Sequence, residues 1–115
     1  PHPNDPETFQ RSKLDWSEAS QVDHAHLLDL YRQLARLRRE RPELTHPGPG
    51  GRDAEVVPSS SGRRYVLRRG AARVVVNLTS EPWEVPAGDV WIASVEPTLS
   101  GDSLVVAPES AVVLA

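Results

Sequence analysis

An α+β arrangement, one amphipathic helix followed by a small antiparallel β-sandwich, is the fold class this sequence predicts. Three observations lead there. Leu27, Leu30, Tyr31, Leu34 and Leu37 recur at spacings of three and four, the apolar stripe of a surface helix. Beyond residue 53, short runs rich in Val are cut at regular intervals by Gly, Pro, Ser and Asp, the pattern of an antiparallel sandwich. Between these two regions lies Thr45-His46-Pro47-Gly48-Pro49-Gly50-Gly51-Arg52-Asp53. Proline fixes φ and removes a donor, so this stretch suits neither helix nor ladder and reads as a linker.

In chain order, residues 1 to about 20 are expected to be irregular but ordered. They have neither the 3.6-residue nor the two-residue period, and Pro3 and Pro6 restrict the residues before them. Yet Phe9, Leu14 and Trp16 are too much apolar surface for a free linker. A helix is expected to begin near Ser20 to Asp23, where either side chain can cap the first turn. Arg36, Arg38, Arg39 and Arg41 crowd its last turns, where the dipole favours cations, and Pro42 marks its end. Strands are expected at 55–57, 64–68, 73–78, 83–85, 90–95, 103–106 and 111–114. The Arg63-Arg64 and Arg68-Arg69 pairs suggest an edge strand or solvated hairpin. A tail of about sixty residues is marginal as a domain on its own and is expected to lean on a neighbour.

Composition removes several classes of function. The chain has 115 residues, 25% charged, and a net charge of −3, so there is no strong basic excess to hold a phosphate backbone and nucleic acid is not expected as a partner. No apolar run approaches the ~18 residues of a membrane span, and no signal peptide opens the sequence. Absence of cysteine excludes disulfides and thiolate metal sites. Lys13 is the one lysine against twelve arginines, a bias that reflects genome composition more than function.

Candidate chemistry is sparse. His24 and His26 stand two apart, a spacing that does not share a helix face, and His2 and His46 lie in Pro-rich segments. Neither a metal nor a cofactor is expected. No Ser-His-Asp order or phosphate-binding Gly loop is present. Asp5, Glu7 and Asp15 lie where a substrate can reach, although Asp in such positions commonly bonds nearby backbone amides. Trp16 offers a face for a sugar ring, or a plug between the loop and the following helix, which is the reading we prefer. Trp83 and Trp91 fall in strands, where packing is their expected role.

One segment carries a resemblance. Asp5-Pro6-x-Thr8-Phe9-x-Arg11-Ser12-Lys13-Leu14-Asp15-Trp16, followed by Leu27-Leu28-x-Leu30-Tyr31-Arg32-x-Leu34-x-x-Leu37-Arg38-Arg39-x-x-Pro42-x-Leu44, resembles the malto-oligosyltrehalose trehalohydrolases of the α-amylase superfamily, glycoside hydrolase family thirteen. The similarity is to their C-terminal end. It implies that residues 1–44 are the last loop and helix of a (β/α)8 barrel, 45–53 a Pro/Gly linker, and 54–115 a C-terminal β-sandwich domain. It implies further that the whole enzyme hydrolyses the α-1,4 bond next to the terminal trehalose of a maltooligosyltrehalose, releasing trehalose in its biosynthesis from α-glucan, in the bacterial cytoplasm.

The family's catalytic carboxylates lie upstream, and none maps onto this chain. Asp5, Phe9, Lys13, Asp15 and Trp16 are the residues the resemblance places near the rim of the substrate cleft. The expected partners are the missing catalytic barrel of the same polypeptide and, through it, the α-glucan-derived oligosaccharide. A barrel needs roughly 250 residues, so the 115-residue chain alone is expected to be inactive. Two other readings stand beside this one. The first is another α-amylase relative such as a glucan branching enzyme, against which Ser12 to Trp16 weigh. The second is a stand-alone, non-catalytic helix-plus-sandwich binding module.

Overall fold

The computed structural model describes residues 2–45, 54–59 and 61–115. Most of the expected linker, from His46 to Asp53, lies outside them. By packing, the chain divides into two compact units, Pro1–Tyr31 and Arg32–Ala115, with the division inside a helix.

The first unit corrects the expectation of an irregular start. Helix α1 spans Pro6–Arg11, and a 3₁₀ turn spans Trp16–Ser20. Pro6 does not oppose α1 because it occupies the first helical turn, where its missing N–H is no loss and its fixed φ already suits the helix. Asp5 supplies the cap, its Oδ1 accepting from Glu7 N at 3.1 Å. Helix α2, Val22–Glu40, begins within the expected range and stops two residues before Pro42. None of its residues is buried. Leu34, at the middle of the stripe, is 38% exposed.

The second unit is a two-layer sandwich. Its strands are β1 Ala54–Pro58, β2 Arg64–Arg69, β3 Ala72–Asn77, β4 Trp83–Pro86, β5 Val90–Ala93, β6 Thr98–Ser100, β7 Ser103–Val106 and β8 Ser110–Leu114. Seven were expected; β6 was missed because it has three residues, all exposed, and no alternation. One sheet has the order β1-β2-β3-β8-β5 and the other β4-β7-β6, with every pairing antiparallel. Gly70, between β2 and β3, and Gly101, between β6 and β7, have positive φ. Each is the first residue of a two-residue hairpin connection, the position a type II′ turn reserves for Gly.

Alternation carries Val75, Val112 and Leu114 inward from the larger sheet to meet Val85, Leu104 and Val106 from the smaller, all essentially buried. One polar residue, Asn77, sits fully buried beside them. Its Nδ2 donates to the carbonyls of Glu81 at 2.8 Å and Ala107 at 3.1 Å. Its Oδ1 accepts from Thr79 N at 3.1 Å and Thr79 Oγ1 at 2.7 Å. Both halves of the amide are therefore satisfied, and Asn77 ties the β3–β4 loop to the turn between β7 and β8.

Strand β2 lies between β1 and β3, so of the two expected alternatives the structure contains the hairpin, formed with β3, and not the edge strand. Arg64 turns inward, donating to Asn77 Oδ1 and to the carbonyls of Glu81 and Pro82. Its guanidinium lies 5.8 Å from the Trp83 ring centre. Trp83 packs against the core, and Trp91 is half-buried beneath the guanidinium of Arg41 at 4.2 Å. Neither tryptophan forms the exposed pair that a carbohydrate-binding module would present.

Candidate functional site

All five candidate rim residues belong to the first unit, and the turns there place them in two groups. Phe9 projects from α1, with Lys13 Nζ 5.0 Å from its ring centre. Asp5 is committed to capping that helix. This group is held by local bonds, among them Thr8 Oγ1 donating to the His2 carbonyl at 2.9 Å and Ser12 Oγ to the Thr8 carbonyl at 2.7 Å.

Asp15 and Trp16 form the second group. Asp15 caps the 3₁₀ turn, its Oδ1 accepting from Ser17 Oγ at 2.6 Å and Ser17 N at 3.0 Å. Those bonds, the hydroxyl first, hold the Asp15 carboxyl below its ordinary value. A glycosidase general acid needs a carboxyl raised above the usual range, so Asp15 is unsuited to that role. The two aspartates are thus used by the backbone, as residues of this type in turns commonly are.

Trp16 opens the 3₁₀ turn and is 81% exposed. The preferred reading of a plug between loop and helix does not hold within the described residues, because nothing among them covers the outer face of the ring. Instead Trp16 forms one wall of an open groove of 310 Å³, whose other sides come from Leu14, Leu27 and Tyr31, with Asp15, Glu18 and His24 among its polar residues. His24 Nδ1 lies 3.9 Å from Glu18 Oε2. An aromatic face bordered by carboxylate acceptors suits the apolar side of a pyranose and its hydroxyls. Asp5, Phe9 and Lys13 do not line this groove.

Glu18, His24, Leu27 and Tyr31 were not singled out from the sequence as site residues. Leu27 and Tyr31 read only as part of a helix stripe, and His24 only as a metal ligand to be dismissed. The turn at Ser20–Gln21 that folds α2 back toward Trp16 left no periodic signal. No group of three or more metal-ligating side chains is present among the described residues, and no described helix is long and apolar enough to cross a membrane.

Comparison with known proteins gives the class first. The crystal structure of a protein assigned as an alpha amylase from Salmonella typhimurium matches 99% of this chain with a TM-score of 0.71 and 25% identity, over 20% of its own length. Two helices followed by sheets of five and three strands are therefore a portion of an α-amylase-type structure. The particular relatives are narrower. Malto-oligosyltrehalose trehalohydrolase of Brevibacterium helvolum is 45% identical over 117 aligned residues, covering 99% of this chain and 20% of the relative. That of a Rhizobium strain is 50% identical over 82 residues, 71% of this chain and 13% of the relative. The Mycobacterium tuberculosis enzyme is 38% identical, over 90% of this chain and 17% of its own length. No family model matches the chain. Over nearly its whole length the chain is homologous to one portion of malto-oligosyltrehalose trehalohydrolase, and it spans about a fifth of the relatives it matches in full.

Proposed function

We propose that this chain is the C-terminal portion of a bacterial, cytoplasmic malto-oligosyltrehalose trehalohydrolase, the glycosidase that releases trehalose from maltooligosyltrehalose. The observation that carries the proposal is identity of 45% sustained over 99% of the chain. In this reading residues 1–44 supply the last loop and helix of the catalytic barrel, and residues 54–115 form the domain behind it. The segment completes and stabilises the barrel. Its groove beside Trp16 shapes one rim of the cleft, with Asp5 and Asp15 holding the loop rather than reacting. The catalytic carboxylates come from outside these residues.

Release of trehalose from maltotriosyltrehalose tests this. The full natural polypeptide should release it, and the purified 115-residue chain should not rise above a buffer blank. Activity in the isolated chain, or a full polypeptide that transfers glucan branches instead of releasing trehalose, would contradict the assignment.

A further inference from the structure

The second unit has a concavity of its own, a cavity of 160 Å³ between the last turns of α2 and strand β5. Buried Ile92 and half-buried Leu37 supply its apolar side, and exposed Gln33, Arg36 and Glu40 its polar side. Trp91 forms a wall.

Trp91 reaches the cavity through an irregularity in the sheet. Val90 pairs with Leu114 and Ile92 with Val113, so two steps along β5 match one along β8. Trp91 is the extra residue of a β-bulge. Neighbouring residues of a regular strand face opposite ways, yet Trp91 and Ile92 line the same cavity. Bulges at sheet edges commonly re-aim a side chain in this way, and β5 is an edge strand. The Arg41 guanidinium, 4.2 Å from the ring centre, steadies the indole. Arg41 does not line the cavity, so it occupies another side of the ring.

The charged groups beside the ring are not engaged. Arg36 and Glu40 stand four apart on α2, close enough in principle to pair. Neither forms an ion pair or a side-chain hydrogen bond among the described residues. A free donor and a free acceptor of opposite sign suit neither a simple anion nor a simple cation, since each would meet one like charge. A neutral ligand with adjacent hydroxyls satisfies both. One of its oxygens accepts from the guanidinium, and the next hydroxyl donates to the carboxylate. Trp91 and Leu37 then meet the apolar side of the ring. Sites for drug-sized ligands begin at about 300 Å³, so a cavity of 160 Å³ takes a single ring.

We propose that this cavity binds one pyranose ring through a vicinal diol, with Arg36 and Glu40 holding adjacent hydroxyls and Trp91 the ring itself. It is a site built on one aromatic residue. The ligand class follows from the lining. The choice of α-glucosides as probes rests on the reading of the chain as part of a trehalohydrolase, whose oligosaccharide substrate and trehalose product both present such a ring.

The test uses the full natural polypeptide labelled with fluorotryptophan, the Trp91 resonance being the one lost in Trp91→Phe. Fluorine NMR follows titrations with maltotriose, trehalose and sodium sulfate. The expected result is a saturable shift of the Trp91 signal with a sugar Kd on the order of 1 mM. Arg36→Ala and Glu40→Ala should each weaken it about tenfold, the loss of one charged hydrogen bond, and sulfate should leave the signal in place. Both substituted side chains are exposed, so the variants keep the fold. Tighter binding of maltotriose assigns the site to the end of a glucan chain, and tighter binding of trehalose assigns it to the released product. No shift with either sugar overturns the site. So does a shift with sulfate alone, or a sugar-induced shift that both variants retain. Trehalose release from maltotriosyltrehalose, followed in the same preparation, separates the two readings. Release with a silent Trp91 overturns the site and leaves the proposed function standing, and a Trp91 response without release does the reverse.

Discussion

The two units of this chain are held together by different means. None of the described residues of the unit Pro1–Tyr31 is buried, and its order comes from helices, caps and turns between near neighbours in sequence. Arg32–Ala115 is held by strand pairings across long sequence separations and by side chains withdrawn from water. The first kind of order fixes where a side chain points without fixing a core beneath it. Candidate site residues lie in the first unit, and the buried core lies in the second.

The largest effect expected is in the core. Leu104→Ala should destabilise the sandwich by roughly 2–5 kcal/mol, the range for large-to-small changes at fully packed sites. Slowed exchange of the Val75 and Val112 amides should be lost to match. The exposed stripe sharpens the contrast. Leu34→Ala in the isolated chain should cost less than about 1 kcal/mol, because the side chain is already partly in water. In the full polypeptide the same change should cost roughly 2–5 kcal/mol if α2 is a barrel helix. Equal small costs in both settings, measured by denaturant unfolding, would break the barrel reading of α2.

Asn77→Ala comes next, at about 3 kcal/mol, since the Thr79 hydroxyl and the Glu81 and Ala107 carbonyls lose a buried partner. Urea midpoints at unchanged slope measure it. For the first unit the expected effects are local. Asp15 bonds Ser17 in its charged form, so its carboxyl is lowered from the ordinary 3.8. The linked stability is fully present above that value and is lost as the pH falls through the lower one. Protection of the Ser17 amide, taken relative to its intrinsic exchange rate, should fall at acid pH while that of the sandwich amides does not follow. Asp15→Asn should remove that pH dependence.

Trp16→Ala is expected to change the melting temperature of the isolated chain least of all, the ring being 81% exposed. In the full enzyme it should lower kcat/KM and, if the rest of the polypeptide covers the ring, the melting temperature too. A raised KM with unchanged melting would instead mark the tryptophan as a platform for a sugar.

Much of the second unit was legible because short Val-rich runs are cut at regular intervals by turn residues. Val74-Val75-Val76 and Leu104-Val105-Val106 fall in strands as expected. The order of the strands was not legible, since nothing local says that β8 inserts between β3 and β5. Helix α1 was missed because Pro6 was weighed as a breaker without regard to Asp5 before it. A proline that ends one helix can open another, and only the capping bond distinguishes the cases. The aspartates at 5 and 15 were correctly read as backbone partners. The groove was not legible, since its walls come from a periodic helix and an aperiodic turn that meet only after folding.

The place of β8 has a consequence for synthesis. Residues 110–114 form the interior strand that joins β5 to the β1-β2-β3 meander. While a ribosome has emitted only the residues before Ser110, that meander has no partner on its β3 side and β5 has no sheet at all. Closure of the five-stranded sheet waits on residues 110–114, and the open β3 edge is in the meantime a template for other chains. Quality control in the cell would therefore meet this region as an unfinished sheet until the ribosome has passed Leu114 and the tunnel has released it.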